Sequence, residues 1–306
     1  MAKESQMLTV IIPCYNCEGF LRRAIDSVLS QSYSDWEMIL VNNSSTDGTQ
    51  KVIDEYVQRF PEKIFSFFES RKGACFARNF GLSQAKGEWI QFLDADDEIL
   101  PDKFERQLNI IEDATIVLIG AFIRVYVEKG TSERFYVYPN RSIWYSILFS
   151  QAGITSANLY KKKAVLDING WNTEMSSSQE YDLMFRLAKA SVNNAICYDT
   201  AFSSRIYEET NSVSRPKDEA GKKKIIENYV ELRLRIAEYL SSKGMWNDEL
   251  RRVYSKSIFR LLYARRVPSS HFVNTKMNGL GLSTPCYYKT LIILKYYTKR
   301  LLIRNF

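Results

Sequence analysis

EWIQFLDADDE, residues 88–98, climbs through Trp89, Ile90, Phe92 and Leu93 into Asp94, Asp96, Asp97 and Glu98, with Ala95 between the first two acids. A short apolar run of this kind reads as a buried strand. Carboxylates this close repel one another, and at least one is pushed toward its protonated form unless a cation answers them. The stretch thus sets a strand end and a candidate cation site side by side.

Upstream, strand and helix patterns alternate through residue 112. LTVIIPCYN (8–16), EMILVNN (37–43) and IFSFFES (64–70) read as strands, while FLRRAIDSVLSQ (20–31) repeats Leu21, Ala24, Ile25, Val28 and Leu29 at helical spacing. Asp47 is placed to cap a helix through Tyr56 and Phe60, and GACFARNFGLSQA (73–85) fills the next helical interval. Strands separated by helices imply crossover units and an α/β fold with a mainly parallel, mixed sheet flanked by helices. In such sheets ligands bind beyond the carboxyl ends of the strands. The polar clusters Tyr15-Asn16, Asn42 to Ser45 and Asp94 to Asp97 all fall there.

Downstream, ATIVLIGAFIRVYV and ERFYVYP suggest strands, and RSIWYSILFSQ and SQEYDLMFRLAKA suggest helices. One domain is expected over 1–215, its first half about 1–112 and its second about 113–215, followed by a helical region over 216–306. The stretch PCYYKTLIILKYYTKRLLIRNF (285–306) carries Lys289, Lys295, Lys299, Arg300 and Arg304 and no acid. It suits a helix lying on an anionic bilayer, or equally one packed on the protein with a solvated basic face.

Composition narrows the chemistry. The chain has 306 residues, 45% of them hydrophobic, and a net charge of +7, which favours an anionic partner. The basic residues gather on no nucleic-acid motif, so nucleic acid is not expected. Five scattered cysteines point to a reducing compartment, and Cys14 and Cys17 read as incidental rather than as a redox or zinc pair. MAKESQM has no apolar leader pattern, and no window holds the ~18 apolar residues of a spanning helix. A cytoplasmic protein is expected. His271 is the sole histidine, which removes histidine triads and histidine-rich metal sites. A metal here would be held by carboxylates, water and ligand oxygens, as Mg²⁺ or Mn²⁺.

Two enzyme classes place D-x-D behind an apolar strand. In phosphatases of the haloacid dehalogenase type the first Asp is a nucleophile, but here the motif ends the fourth strand and Asp97 fills a place usually held by Thr or Val. The other class is the nucleotide-sugar glycosyltransferases. VIIPCYN (10–16), LVNNSSTDGT (40–49), GACFARNFGLSQAKGEWIQFLDADD (73–97) and NGWNTEMSSSQEYDLMFRLA (169–188) resemble, in order and spacing, the signatures of the inverting family 2 glycosyltransferases of GT-A fold. The resemblance spans roughly residues 7–215.

That resemblance implies roles. Pro13, Tyr15 and Asn16 would close over the nucleotide base; Asn42 stands where the family usually has an Asp that contacts it. Arg78 and Asn79 map onto a segment near base and phosphates. Asp94 and Ala95 fall near ribose, and Asp96, with Asp94, would hold Mn²⁺ or Mg²⁺, supported by Asp97. Glu180 takes the place of the Asp that accepts the acceptor's proton, with Asp182 two residues on favouring a helix start. Arg205 would meet phosphate, whereas Tyr207 replaces a histidine of many relatives and is a poor metal ligand. The implied reaction moves a sugar, most simply from UDP, to a glycan or lipid-linked saccharide at the inner membrane face, in cell-surface polysaccharide or lipopolysaccharide synthesis. The Asn42 and Tyr207 departures leave open a catalytically silent module of the same fold.

Overall fold

In a computed structural model, residues 6–128, 131–140, 142–191, 195–209 and 218–264 are described. Four strands, β1 (Leu8–Cys14), β2 (Trp36–Asn42), β3 (Ile64–Phe68) and β4 (Trp89–Phe92), lie parallel in the order β3-β2-β1-β4. Every residue of β2 and β4 is buried, as in β1 apart from Pro13. Strands covered on both faces need near-continuous apolar runs, which is why LTVII and MILV lack an alternating pattern.

Helices α1 (Leu21–Leu29), α2 (Thr49–Arg59) and α3 (Ala74–Gln84) supply the crossovers. On α1 the buried residues are Leu21, Ala24, Ile25 and Val28, the i, i+3, i+4, i+7 stripe of a helix facing a core. On α3, Gly81 faces the sheet so closely that a Cβ would stand 2.5 Å from Ile11 Cγ2. Asp47 does act at the start of α2: its carboxylate accepts from Thr49 N at 3.0 Å and from Glu18 N at 3.2 Å. It thereby ties the loop after β1 to the loop after β2.

Beyond β4 the sheet becomes mixed. It passes antiparallel to β8 (Leu159–Lys161) and β6 (Val117–Glu128), then parallel to β9 (Ile196–Glu209) and antiparallel to the two-residue β5 (Glu98–Ile99). β7 (Thr131–Val137) pairs with β6. The acidic stretch is therefore followed by a strand before α4 (Lys103–Ile110) begins, because Glu98 and Ile99 pair with Arg205 and Ser204. Helices α5 (Ile143–Phe149), α6 (Lys162–Asp167) and α7 (Gln179–Ala190) complete this part.

The chain divides into two units, Met1–Arg215 and Pro216–Phe306. In the second, Asp218 caps α8 (Glu219–Ser242) by accepting from Gly221 N at 3.1 Å, and α9 (Asp248–Ala264) follows. No helix among the described residues is long and apolar enough to cross a membrane. The basic stretch 285–306 lies outside the described residues.

Candidate active site

The strand order changes direction between β1 and β4, and a cleft of about 540 Å³ opens at their carboxyl ends. Its lining includes Pro13 near the end of β1 with Tyr15 and Asn16 just after it, Asp94, Ala95 and Asp96 after β4, Arg78 from α3 and Glu180 from the first turn of α7. Residues over 160 positions apart in sequence thus share one wall, which is the placement a crossover sheet dictates for its binding edge.

Arg78 is the hub. It is 6% exposed, donates from Nη2 to Asp94 Oδ1 at 2.6 Å and from Nη1 to Gln179 Oε1 at 3.2 Å, and lies 4.5 Å from the Trp171 ring centre. Burial opposes its charge, yet the neighbouring Asp94 carboxylate holds it above its usual pKa, and Glu180 adds to that. Trp171 is itself fixed by Asn79, whose amide donates to Trp171 O and accepts from Trp171 N, both at 2.8 Å. Asn79 is not among the cleft-lining residues; its polar groups clamp the tryptophan under Arg78.

The acidic turn is built unequally. Asp97 is 2% exposed and accepts from Ser156 Oγ at 2.6 Å and from Tyr207 N at 3.4 Å. Burial, with the charges of Asp94 and Asp96, pushes its carboxyl well above the usual range. Ser156 also accepts from Asp94 N at 3.2 Å, so one hydroxyl bridges both acids. Asp97 thus braces the turn, while Asp94 and Asp96 line the cleft.

Other residues singled out in the sequence lie elsewhere. Asn42 is buried with its amide spent on Gln50 Oε1 at 2.6 Å and Ser45 N at 3.0 Å, and does not line the cleft. Asn16 does line it, in a left-handed conformation (φ 47°) held by bonds to Ser45 Oγ and Thr46 N. Asp182 is fully buried against Arg186, with Oδ2 2.7 Å from Nε, and Arg186 also donates to the carbonyls of Ile168 and Gly170. Its place is in the frame of α7. Arg205 pairs with Glu98 and is absent from the cleft lining.

Sequence reasoning did not reach Arg23, Gln179 or Ser176 to Ser178, all of which line the cleft. Gln179 adjoins the residue that was singled out, and only the fold shows that it faces Arg78.

Among the described residues no group of three or more His, Cys, Asp or Glu side chains could hold a metal. The donors in the cleft are carboxylate oxygens, which suits Mg²⁺ or Mn²⁺ keeping one or two carboxylates and taking its remaining ligands from phosphate and water. Zinc, which favours nitrogen and sulfur ligands, does not fit.

The family model for glycosyl transferase family 2 matches residues 9–168. A putative teichuronic acid biosynthesis glycosyltransferase of Bacillus subtilis, TuaG, is 32% identical over 146 residues, 47% of this chain and 58% of its own. The chain thus spans less than two thirds of that relative. S. aureus TarS (residues 1–349), solved with UDP-GlcNAc, superposes with a TM-score of 0.63 at 18% identity, covering 84% of this chain and 73% of that fragment. A mannosyltransferase of Pyrobaculum calidifontis, solved with GDP-Man and Mn²⁺, gives 0.57 at 16% identity over 98% of this chain and 87% of its own. The fold is of the GT-A type, an α/β sheet flanked by helices.

Proposed function

We propose, from the premise that the chain belongs to glycosyl transferase family 2, that it is a metal-dependent, inverting hexosyl- or N-acetylhexosaminyl-transferase using a nucleotide sugar, UDP-linked in the first instance. Its acceptor is a hydroxyl of a glycan or lipid-linked saccharide in cell-surface polysaccharide or lipopolysaccharide synthesis. The observation that carries this reading is one cleft lined by Tyr15 at the end of β1, Arg78, Asp94, Asp96 and Glu180. The nucleotide-sugar complexes of the two structural neighbours support the donor class, and the teichuronic acid relative supports the acceptor class. The basic stretch 285–306 suits work at the cytoplasmic face of a membrane.

Tyr15, 42% exposed at the mouth, offers its ring to the base. Arg78, pre-set by Asp94, Gln179 and Trp171, presents a fixed positive charge to the phosphate-bearing end. A divalent cation held by Asp96, with Asp94 beside it, would neutralise the departing diphosphate. Glu180 accepts the proton of the acceptor hydroxyl while that oxygen attacks the anomeric carbon from the face opposite the leaving group. A single displacement inverts the anomeric configuration. The side chain of Asp182, committed to Arg186, is left to hold the helix that carries Glu180.

The test is a thermal-shift titration with UDP, GDP, dTDP and CDP, each with and without Mn²⁺, run beside Asp96→Ala. Stabilisation by one nucleotide that requires metal and is lost in the variant is expected. A shift with phosphomonoesters and none with any nucleotide would overturn the donor assignment.

A further inference from the structure

We infer that Arg23, on α1, is the residue that takes the terminal phosphate of the nucleoside diphosphate as the sugar leaves, and that Tyr207 is the plate that positions it. The inference rests on the donor reading above and goes beyond it by assigning a catalytic role to a residue outside the motif segments.

Arg23 lines the cleft with Ala95, Asp96 and Tyr207. Its guanidinium carbon lies 3.7 Å from the centre of the Tyr207 ring, and Nη2 donates to the backbone carbonyl of Asp96. A guanidinium has five N–H donors. The Asp96 carbonyl takes one; the others have no acceptor among the described residues, and Nε is buried with no partner.

Charge separates Arg23 from the other arginines nearby. Arg78 is paired with Asp94, and Arg205 with Glu98. Among the described residues Arg23 forms no ion pair, so the cleft contains a half-buried cation with no carboxylate in direct contact. Such a charge is costly unless an anion arrives. Phosphate is the anion whose oxygens match the planar fork of a guanidinium.

Direction comes from the supports. The ring of Tyr207 fixes the plane of the guanidinium, and the Tyr207 hydroxyl donates to Glu98 Oε2 at 2.8 Å. Glu98 is in turn pinned by β5 pairing with β9 and by Arg205. The carbonyl that orients Arg23 belongs to Asp96, the residue assigned to the cation, so both positive charges converge on one anion. The terminal phosphate is the group that gains charge when the sugar–oxygen bond breaks, and a preorganised donor is worth most there.

The experiment measures UDP and UMP binding by calorimetry, in Mn²⁺, for the full chain and for Arg23→Met, Arg23→Lys, Tyr207→Phe and Tyr207→Leu. Arg23→Met is expected to weaken UDP about 10- to 100-fold, the range of one charge-assisted contact, and UMP by less than about threefold. Arg23→Lys recovers part of the loss, since charge remains and the fork does not. Tyr207→Phe keeps the plate and binds UDP within about threefold of the parent, whereas Tyr207→Leu follows Arg23→Met. Equal losses of UDP and UMP, or no loss of either, would overturn the assignment while leaving the donor reading intact. If the parent chain binds none of UDP, GDP, dTDP or CDP, the donor reading and this inference fall together.

Discussion

Arg78 and Asp94 form an ion pair of 2.6 Å whose two members differ in burial: the arginine side chain is 8% exposed and the aspartate 31%. The asymmetry sets an order of damage. Asp94→Ala strands a buried cation that keeps Gln179 Oε1 and the Trp171 face as contacts and the Glu180 charge nearby. Arg78→Met instead leaves a carboxylate that water reaches. Removing the counter-ion of a buried charge costs about 3–5 kcal/mol, and the reverse substitution costs less, because water reaches the carboxylate it leaves. Urea denaturation midpoints read the difference. A larger loss for Arg78→Met would mean that Asp94, not Arg78, is the desolvated partner.

Glu180 and Asp182 sit two residues apart in the first turn of α7, and the structure assigns them opposite surroundings. Glu180 lines the cleft, whereas Asp182 is fully buried against Arg186. Glu180→Gln is expected to cut kcat by about 10²–10⁴, the span of general-base contributions, with nucleotide affinity and melting temperature held. Asp182→Asn is expected to lower stability by about 2–4 kcal/mol, because the half-buried Arg186 loses its charge partner, while kcat of the folded fraction changes little. Single-turnover kinetics beside thermal melts separate the two. Loss of kcat with retained stability in Asp182→Asn would reverse the assignment.

The Asn79 amide satisfies both backbone groups of Trp171, and the preceding Gly170 has φ +66° with a would-be Cβ 2.4 Å from Asn79 Oδ1. Asn79→Ala leaves a backbone donor and acceptor unpaired in a mostly buried setting, a cost of about 2–4 kcal/mol. It also frees the plate on which Arg78 rests, so nucleotide affinity should fall with stability. Asn79→Asp keeps the acceptor for Trp171 N and loses the donor to Trp171 O, and should fall between. Chemical denaturation and UDP titration of the three proteins check the order; affinity unchanged in Asn79→Ala would show that Arg78 does not depend on Trp171.

The parts of this molecule that were legible in sequence are those written by local pattern. The parallel strands announce themselves as apolar runs, and the acids at 94–97 stand out because no buried strand would end that way without purpose. What sequence hides is which polar group meets which. Arg23 occupies an ordinary polar position of an amphipathic helix, and only the fold brings Tyr207, 184 positions later, against it. Asn79 reads like a ligand contact because it adjoins Arg78, yet one step along a helix turns a side chain by about 100° and sends its amide to Trp171. The same logic hid Lys103, which the helical pattern alone would place in water.

Lys103 is fully buried, with Nζ 2.6 Å from Gln107 Oε1, and Gln107 and Arg106 both bond Asp199. Burial lowers its pKa well below the ordinary lysine value; the Asp199 charge opposes that shift and the Arg106 charge adds to it. A depressed pKa means that the unfolded chain binds more protons than the folded one at any pH between the two values. Stability from this group is therefore complete above the unfolded pKa of about 10.4 and is lost as pH falls toward the folded value. Wild-type urea midpoints should accordingly rise between pH 7 and pH 9.5 more steeply than those of Lys103→Met, in which the titrating group is gone. The comparison uses slopes because Lys103→Met also strands Gln107 Oε1, a penalty that does not vary with pH in this range. Parallel slopes in the two proteins would mean that Lys103 keeps its proton in the folded state, and that Asp199 outweighs the cost of burying the charge.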